Sequence, residues 1–92
     1  MKSLSARRQD EERRLIAEYV RLHHRLVSEF GALHDLEKML AQIMAQPNPR
    51  AALKHHAGLL EAMISLLEDG SLVVLPSGKV VHADHAQGAV LQ

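Results

Sequence analysis

A leucine-rich heptad pattern runs through the first half of this 92-residue chain. Successive positions are separated by alternating steps of four and three residues, and only Glu29, beside Phe30, interrupts the apolar run. An average step of 3.5 residues lines these side chains along one side of an α-helix, where a second helix must cover them. The pattern, called here the first seam, predicts a coiled-coil-like helix built to associate. Its members are Leu15, Tyr19, Leu22, Leu26, Glu29, Leu33, Leu36, Leu40 and Ile43.

Residues 3–46 are predicted to form this helix, with Ser3 or Ser5 as its N-terminal cap. Gly31 lies inside the pattern and costs roughly 1 kcal/mol relative to alanine in a helix interior. The heptad keeps its register across Gly31, so we favour one long helix of about 40 residues and roughly 60 Å. The alternative breaks the chain near Phe30–Gly31 and makes a compact three-helix bundle.

A second helix is predicted over residues 49–69. Each proline in the segment Gln46-Pro47-Asn48-Pro49 disfavours helical geometry in the residue before it, which ends the first helix. Asn48 suits the cap position, Pro49 the first helical position and Gly70 the stop. The connection is short, so the two helices are expected to form an antiparallel helical hairpin. The second seam is Leu53, His56, Leu60, Met63 and Leu67.

The unequal lengths of these two helices predict an interface. A second helix of this length covers only the C-terminal half of the first seam, which leaves an apolar stripe that includes Ile16 and Val20 facing water. Such a stripe is typical of a protein–protein interface, and a homodimer covers it most simply. The predicted partner-binding residues are Arg13, Arg14, Leu15, Tyr19, Arg21, Leu22, Arg25 and Leu26.

A β-hairpin is predicted over residues 71–83, where the heptad period is replaced by short β-branched runs. Pro76-Ser77-Gly78 suits a three-residue loop with glycine in the left-handed region, which pairs Val73 with Val81. Leu72, Val74, Val80 and His82 would then share one face. A hairpin apolar on both faces is not stable alone and must pack against the helices or a partner. Residues 84–92 are expected to form a flexible tail.

Composition limits the function classes that this chain can serve. Its length fits a single domain, and aromatic residues make up only 2% of it, which argues against base-stacking nucleic-acid surfaces. The first 25 residues hold seven Lys/Arg against four Asp/Glu, so an arginine-rich nucleic-acid-binding helix remains an alternative. Cysteine is absent, and no signal peptide or membrane-length apolar run appears. A cytoplasmic protein is therefore expected.

The seven histidines are the chain's only unusual reactive groups. Zinc needs three or four convergent ligands. The candidates for such a site are His82 and His85, together with His56 from the second helix. Our preferred interpretation is that no metal binds and that the histidines lie on the surface. A histidine-based metal- or pH-responsive module is the second alternative function.

No enzyme signature is present, and no cofactor is expected. The chain lacks a phosphate-binding glycine loop, a nucleophile elbow and paired carboxylates at a meaningful spacing. We therefore expect a mainly helical α+β protein that acts as a non-enzymatic protein–protein interaction module. An adaptor, regulator or inhibitor working as a helical dimer fits this description, and such small proteins are also typical of mobile elements. Its partners would be a second copy of itself and another protein, with no membrane involved.

Overall fold

The computed structural model describes residues 4–84 of the chain, with side chains from Arg7 onward. Three helices come first and two short strands follow, so the expectation of a mainly helical protein with a C-terminal β-hairpin is confirmed. The elements are α1 (Leu4–Phe30), α2 (Leu36–Met44), α3 (Pro49–Asp69), β1 (Leu72–Val74) and β2 (Val80–His82).

The single long helix expected over residues 3–46 is wrong, because the helix stops at Phe30 and a new one begins at Leu36. Gly31 adopts φ 72°, a left-handed conformation that glycine reaches without steric cost, and its N–H donates to Val27 O at 3.0 Å. Asp35 then caps α2 by accepting a hydrogen bond from Lys38 N at 3.0 Å. These two local signals outweigh the continuous heptad, and the three-helix alternative describes the helices better.

α3 was predicted closely. Asn48 accepts a hydrogen bond from Ala51 N at 3.2 Å, Pro49 opens the helix, and Gly70 ends it at φ 85°. Each feature follows from residue chemistry within a few positions, which explains why the sequence was sufficient here.

The antiparallel helical hairpin is expected from one continuous first helix; because that helix is broken, α3 runs in the same direction as α1, and the short connection over residues 45–48 folds it back only against α2. Arg50, in the first turn of α3, contacts Glu11, whereas Glu68, in the last turn, contacts Arg25. The break after Phe30 lets residues 31–48 return the chain to the start of α1 before α3 begins. The helices therefore run up, down and up.

In this arrangement α3 covers much of the apolar stripe on α1 that is expected from the sequence to face water. Tyr19, Leu22 and Leu26 are buried in a core shared with α3, and Leu15 and Ile16 pack against that core. α3 lies along α1 from Glu11 to Arg25 and also packs against α2. The remaining buried core residues are Ala32, Ile43, Leu53, Ala57, Leu60, Ile64 and Leu67.

The hairpin was predicted correctly in register and orientation. Val73 pairs with Val81, Leu75 N donates to Lys79 O at 2.9 Å, and Gly78 takes φ 91° in the loop. Leu72, Val74 and Val80 pack together against the helical core. The strands are shorter than the predicted span of 71–83, and the predicted tail lies outside the described residues from position 85 onward.

No helix within residues 4–84 combines the length and the apolar character needed to cross a membrane.

Candidate functional site

The predicted partner-binding residues do not form one surface in the folded chain. Tyr19, Leu22 and Leu26 are in the core, and Leu15 is half-buried against it. Arg13 and Arg14 are exposed on α1. The expectation that Tyr19, Leu22 and Leu26 face water is therefore corrected, because they pack in a core shared with α3.

Two of the predicted arginines are held in ion pairs on the surface. Arg21 pairs with Glu18 on α1, and Arg25 joins Glu29 at 3.0 Å to Glu68 at 2.9 Å. Hydrogen bonds to both carboxylates raise the pKa of Arg25. Glu29, which interrupts the first seam, is thus an exposed residue pointing to Arg25 rather than a buried one that specifies helix pairing.

A second set of ion pairs joins the starts of α1 and α3. Glu11 contacts Arg50 at 2.8 Å and Lys54 at 3.3 Å. The hydrogen bond from Lys54, with the positive charge of Arg50, lowers the pKa of Glu11. Exposed pairs of this kind contribute little stability individually, and they show that α3 begins beside the first part of α1.

The three histidines predicted as metal ligands are not brought together within the described part of the chain. His56 is half-buried on α3, His82 is exposed at the end of β2, and His85 lies outside the described residues. Among residues 4–84, no group of three or more His, Cys, Asp or Glu side chains could hold a metal ion.

A different histidine pair forms where α1 and α2 are joined. His23 Nδ1 lies 2.8 Å from His34 Nδ1, and the Tyr19 hydroxyl is 3.4 Å from His34 Nε2. Burial and the neighbouring His23 lower the pKa of His34, although Asp35 acts in the opposite direction. One neutral imidazole must donate to the other, so only one of the two Nδ1 atoms can carry a proton in this contact.

The sequence pattern does not predict this pair, because a heptad that continues through residues 15–43 indicates one helix. On a continuous helix, residues 23 and 34 would be roughly 16 Å apart along the axis. The turn after Phe30 folds His34 back onto α1 and creates the contact. The glycine and the capping aspartate were visible in the sequence, and together they could have indicated the turn.

The α1–α2 connection also displays an apolar side chain. Leu33 is 82% exposed, although its backbone N–H donates to Gly78 O in the hairpin loop at 2.8 Å. A Cβ atom at Gly78 would lie 2.9 Å from Leu33 Cβ, so glycine is required for this close approach. The contact attaches the hairpin loop to the connection and holds Leu33 on the surface.

The most unusual surface lies on α3, on the side opposite its core contacts. The buried residues Leu53, Ala57, Leu60, Ile64 and Leu67 repeat in steps of four and three. A shift of two residues rotates the pattern by about 200° and gives a second heptad pattern on the outside of the helix. We call this surface the outer face of α3; its residues are His55, Gly58, Leu59, Ala62, Ser65, Leu66 and Asp69, and all are exposed.

The outer face of α3 carries no charged residue between His55 and Asp69. Leu59 is 50% exposed and Leu66 is 39% exposed, on consecutive heptads. The charged residues of α3 lie instead along the flank that borders α1, where Lys54 and Glu68 form ion pairs. A solvent-facing helix surface normally carries charges, whereas a helix that is apolar on opposite sides is normally covered on both.

Comparison of this chain with protein-family models, curated proteins and solved structures found no match.

Proposed function

We propose that this chain is a small, non-enzymatic protein–protein interaction module that binds through the outer face of α3. One observation carries the proposal: Leu59 and Leu66 are exposed on a helix face that has no charge between His55 and Asp69. Exposed apolar surface on successive heptads favours a partner helix or an apolar groove, because covering it removes that surface from water.

This proposal keeps the interaction class expected from the sequence and changes its location. α3 covers the stripe on α1, so the proposal places the partner on the opposite side of α3, where Leu59 and Leu66 are exposed. An adaptor, regulator or inhibitor would act by presenting this face on a helix held rigidly by the core. The cytoplasmic location expected from the sequence stays a prediction.

The nucleic-acid alternative has weaker support from the structure. On the arginine-rich first helix, Arg21 and Arg25 each contact a carboxylate that phosphate binding would have to displace, whereas Arg13 and Arg14 are exposed. The histidine alternative, which is predicted from His56, His82 and His85, would instead use His23 and His34, the two histidines found in contact on α1 and the α1–α2 connection. Neither alternative accounts for the exposed leucines of α3.

Site-specific photo-crosslinking in the source organism tests the proposed function. A photoreactive amino acid at position 59 or 66 should give discrete protein adducts, because these side chains would lie inside the interface. The matched control is position 42, since Gln42 is exposed on α2. No adduct from either α3 position, or equal adducts from position 42, would overturn the proposed use of this face.

A further inference from the structure

We infer that the partner on the outer face of α3 is a second copy of this chain, whose α3 lies antiparallel across it about a two-fold axis at Ala62. The inference rests on the proposed function and adds the partner, the direction and the register. Three observations support it: the sizes of the outer-face residues, the open space at Gly58 and the placement of the two ionisable groups.

The residue sizes are complementary under this symmetry. In an antiparallel helix pair with its axis at Ala62, residues at equal distances before and after Ala62 share one layer of the interface. Leu66 then lies beside the partner's Gly58, and Leu59 lies beside the partner's Ser65. Each exposed leucine meets a small residue, and each layer occurs twice. The Ala62 pair at the centre lets the two helices approach closely.

Nothing within residues 4–84 requires glycine at position 58. It lies in the interior of α3 without a positive φ, and a Cβ atom placed there would meet nothing within 4 Å. Glycine weakens a helix interior relative to alanine, so the open position is unfavourable for the isolated chain. In the proposed dimer, the same open space receives the partner's Leu66.

The two ionisable groups also favour the antiparallel direction. His55 and Asp69 each lie seven residues from Ala62, on opposite sides of it. The two-fold axis therefore places His55 beside the partner's Asp69 at both ends of the interface. Imidazole donates an N–H to a carboxylate in either its neutral or its protonated form. A parallel pair of helices in register would instead place the two Asp69 carboxylates side by side.

The outer face extends over the 15 residues from His55 to Asp69, a rise of about 21 Å along the helix. One helix pair of this length buries less surface than a standard stable interface. The dimer is therefore reversible, and the fraction of chains in it rises with protein concentration. Its only ionisable contacts are the terminal pairs.

Sedimentation of the purified full chain across roughly a hundredfold range of concentration provides the first test, with Gly58→Gln as the variant. The wild-type chain should shift from monomer to dimer with rising concentration. The longer side chain fills the space assigned to the partner's Leu66, so G58Q should weaken association at least about tenfold. The matched control is Ala41→Gln, at an exposed position of α2.

Cysteine crosslinking tests the register, because the chain has no native cysteine. Ala62→Cys should give a disulfide-linked dimer under mild oxidation, since residue 62 meets its own copy only when the axis passes through it. Gln42→Cys should give only the background of random collisions. Circular dichroism confirms that each variant remains helical.

A wild-type chain that remains monomeric throughout would overturn the inference. A dimer that persists in G58Q, or that fails to crosslink through A62C, would overturn it as well. These failures differ from failure of the proposed function. If the purified chain is monomeric, the second copy is excluded as the partner. Adducts from positions 59 and 66 to another protein would still support the proposed function.

Discussion

The two opposite faces of α3 repeat with the same heptad period and have different surroundings. The inner face, exemplified by Leu60, is buried against α1 and the hairpin, whereas the outer face, exemplified by Leu59, is exposed. A heptad pattern therefore indicates where a helix can associate, and the rest of the fold decides which pattern is satisfied within the chain. In this protein the buried members of the first seam, such as Tyr19 and Leu26, pack with the inner face of α3, and the outer face stays exposed.

Truncation of adjacent leucines on the two faces should produce the largest difference. Leu60 is 5% exposed, so Leu60→Ala should lower the free energy of unfolding by about 2–5 kcal/mol through lost burial and a new cavity. Leu59→Ala should lower it by less than about 1 kcal/mol, because half of that side chain already contacts water. Urea denaturation at a low protein concentration measures both.

Equal losses at positions 59 and 60 would contradict the assignment of inner and outer faces. If Leu60→Ala unfolds the chain completely, Ile64→Val provides a milder inner-face change, with an expected loss of about 0.5–1.5 kcal/mol. Measurement at low concentration is essential, since self-association would add apparent stability to the outer face.

Removal of the α3 cap should lower the stability of the whole helix, without a difference between its inner and outer faces. Asn48→Ala deletes the side chain that accepts the hydrogen bond from Ala51 N, and the expected loss is about 1 kcal/mol of unfolding free energy. The concentration at which the folded chain associates should not change, because Asn48 lies before the outer face begins. Thermal unfolding and sedimentation of the same variant check both statements, and a large change in association would show that the outer face extends to the cap.

Gly58→Ala should raise the unfolding free energy of the monomer. G58Q, in contrast, is expected to weaken dimer association. The Cβ atom of Gly58→Ala meets nothing within 4 Å, so the helix gains propensity without a steric penalty. The expected gain is about 0.5–1 kcal/mol in the unfolding free energy of the monomer. A denaturation midpoint below that of the wild-type chain would mean that Gly58 serves the monomer fold, which would remove one of the three supports for the dimer.

The parts of the fold that could be predicted are those specified by neighbouring residues. Asn48, Pro49 and Gly70 set the bounds of α3, and the Pro76-Ser77-Gly78 loop set the register of the hairpin. Each signal acts within a turn or a loop, where chain geometry leaves few alternatives.

The parts that could not be predicted depend on where α3 packs. The first seam passes through Gly31 without losing its register, so periodicity alone favoured a continuous helix, although Leu33 is almost fully exposed. The left-handed turn at Gly31 and the cap at Asp35 were visible, but their effect on the direction of α3 is a tertiary property. The expectation that Tyr19, Leu22 and Leu26 face water is wrong for the same reason.

The α1–α2 junction should make stability depend on pH, whereas the truncations above depend on packing. His34 lies in the connection after α1, next to Asp35, and contacts His23 and Tyr19. It also lines a groove together with Lys79 of the hairpin. Burial and His23 hold the pKa of His34 below its ordinary value, and Asp35 opposes them only in part. The unfolded chain, with an ordinary histidine, therefore binds more protons as the pH falls below about 7.

The sign follows from that proton excess in the unfolded chain. The stabilisation from neutral His34 is complete above the ordinary histidine pKa of about 6.5 and is lost as the pH falls from there toward the lowered pKa of folded His34.

His34→Gln should make the urea midpoint less sensitive to pH between about 5 and 8. His24→Gln is the matched control, because His24 is exposed on α1 next to the contact. Part of His34 remains in contact with water, so this change should be the smallest of the four. A pH profile that H34Q leaves unchanged, or that H24Q flattens equally, would show that the contact between His23 and His34 does not hold the junction together.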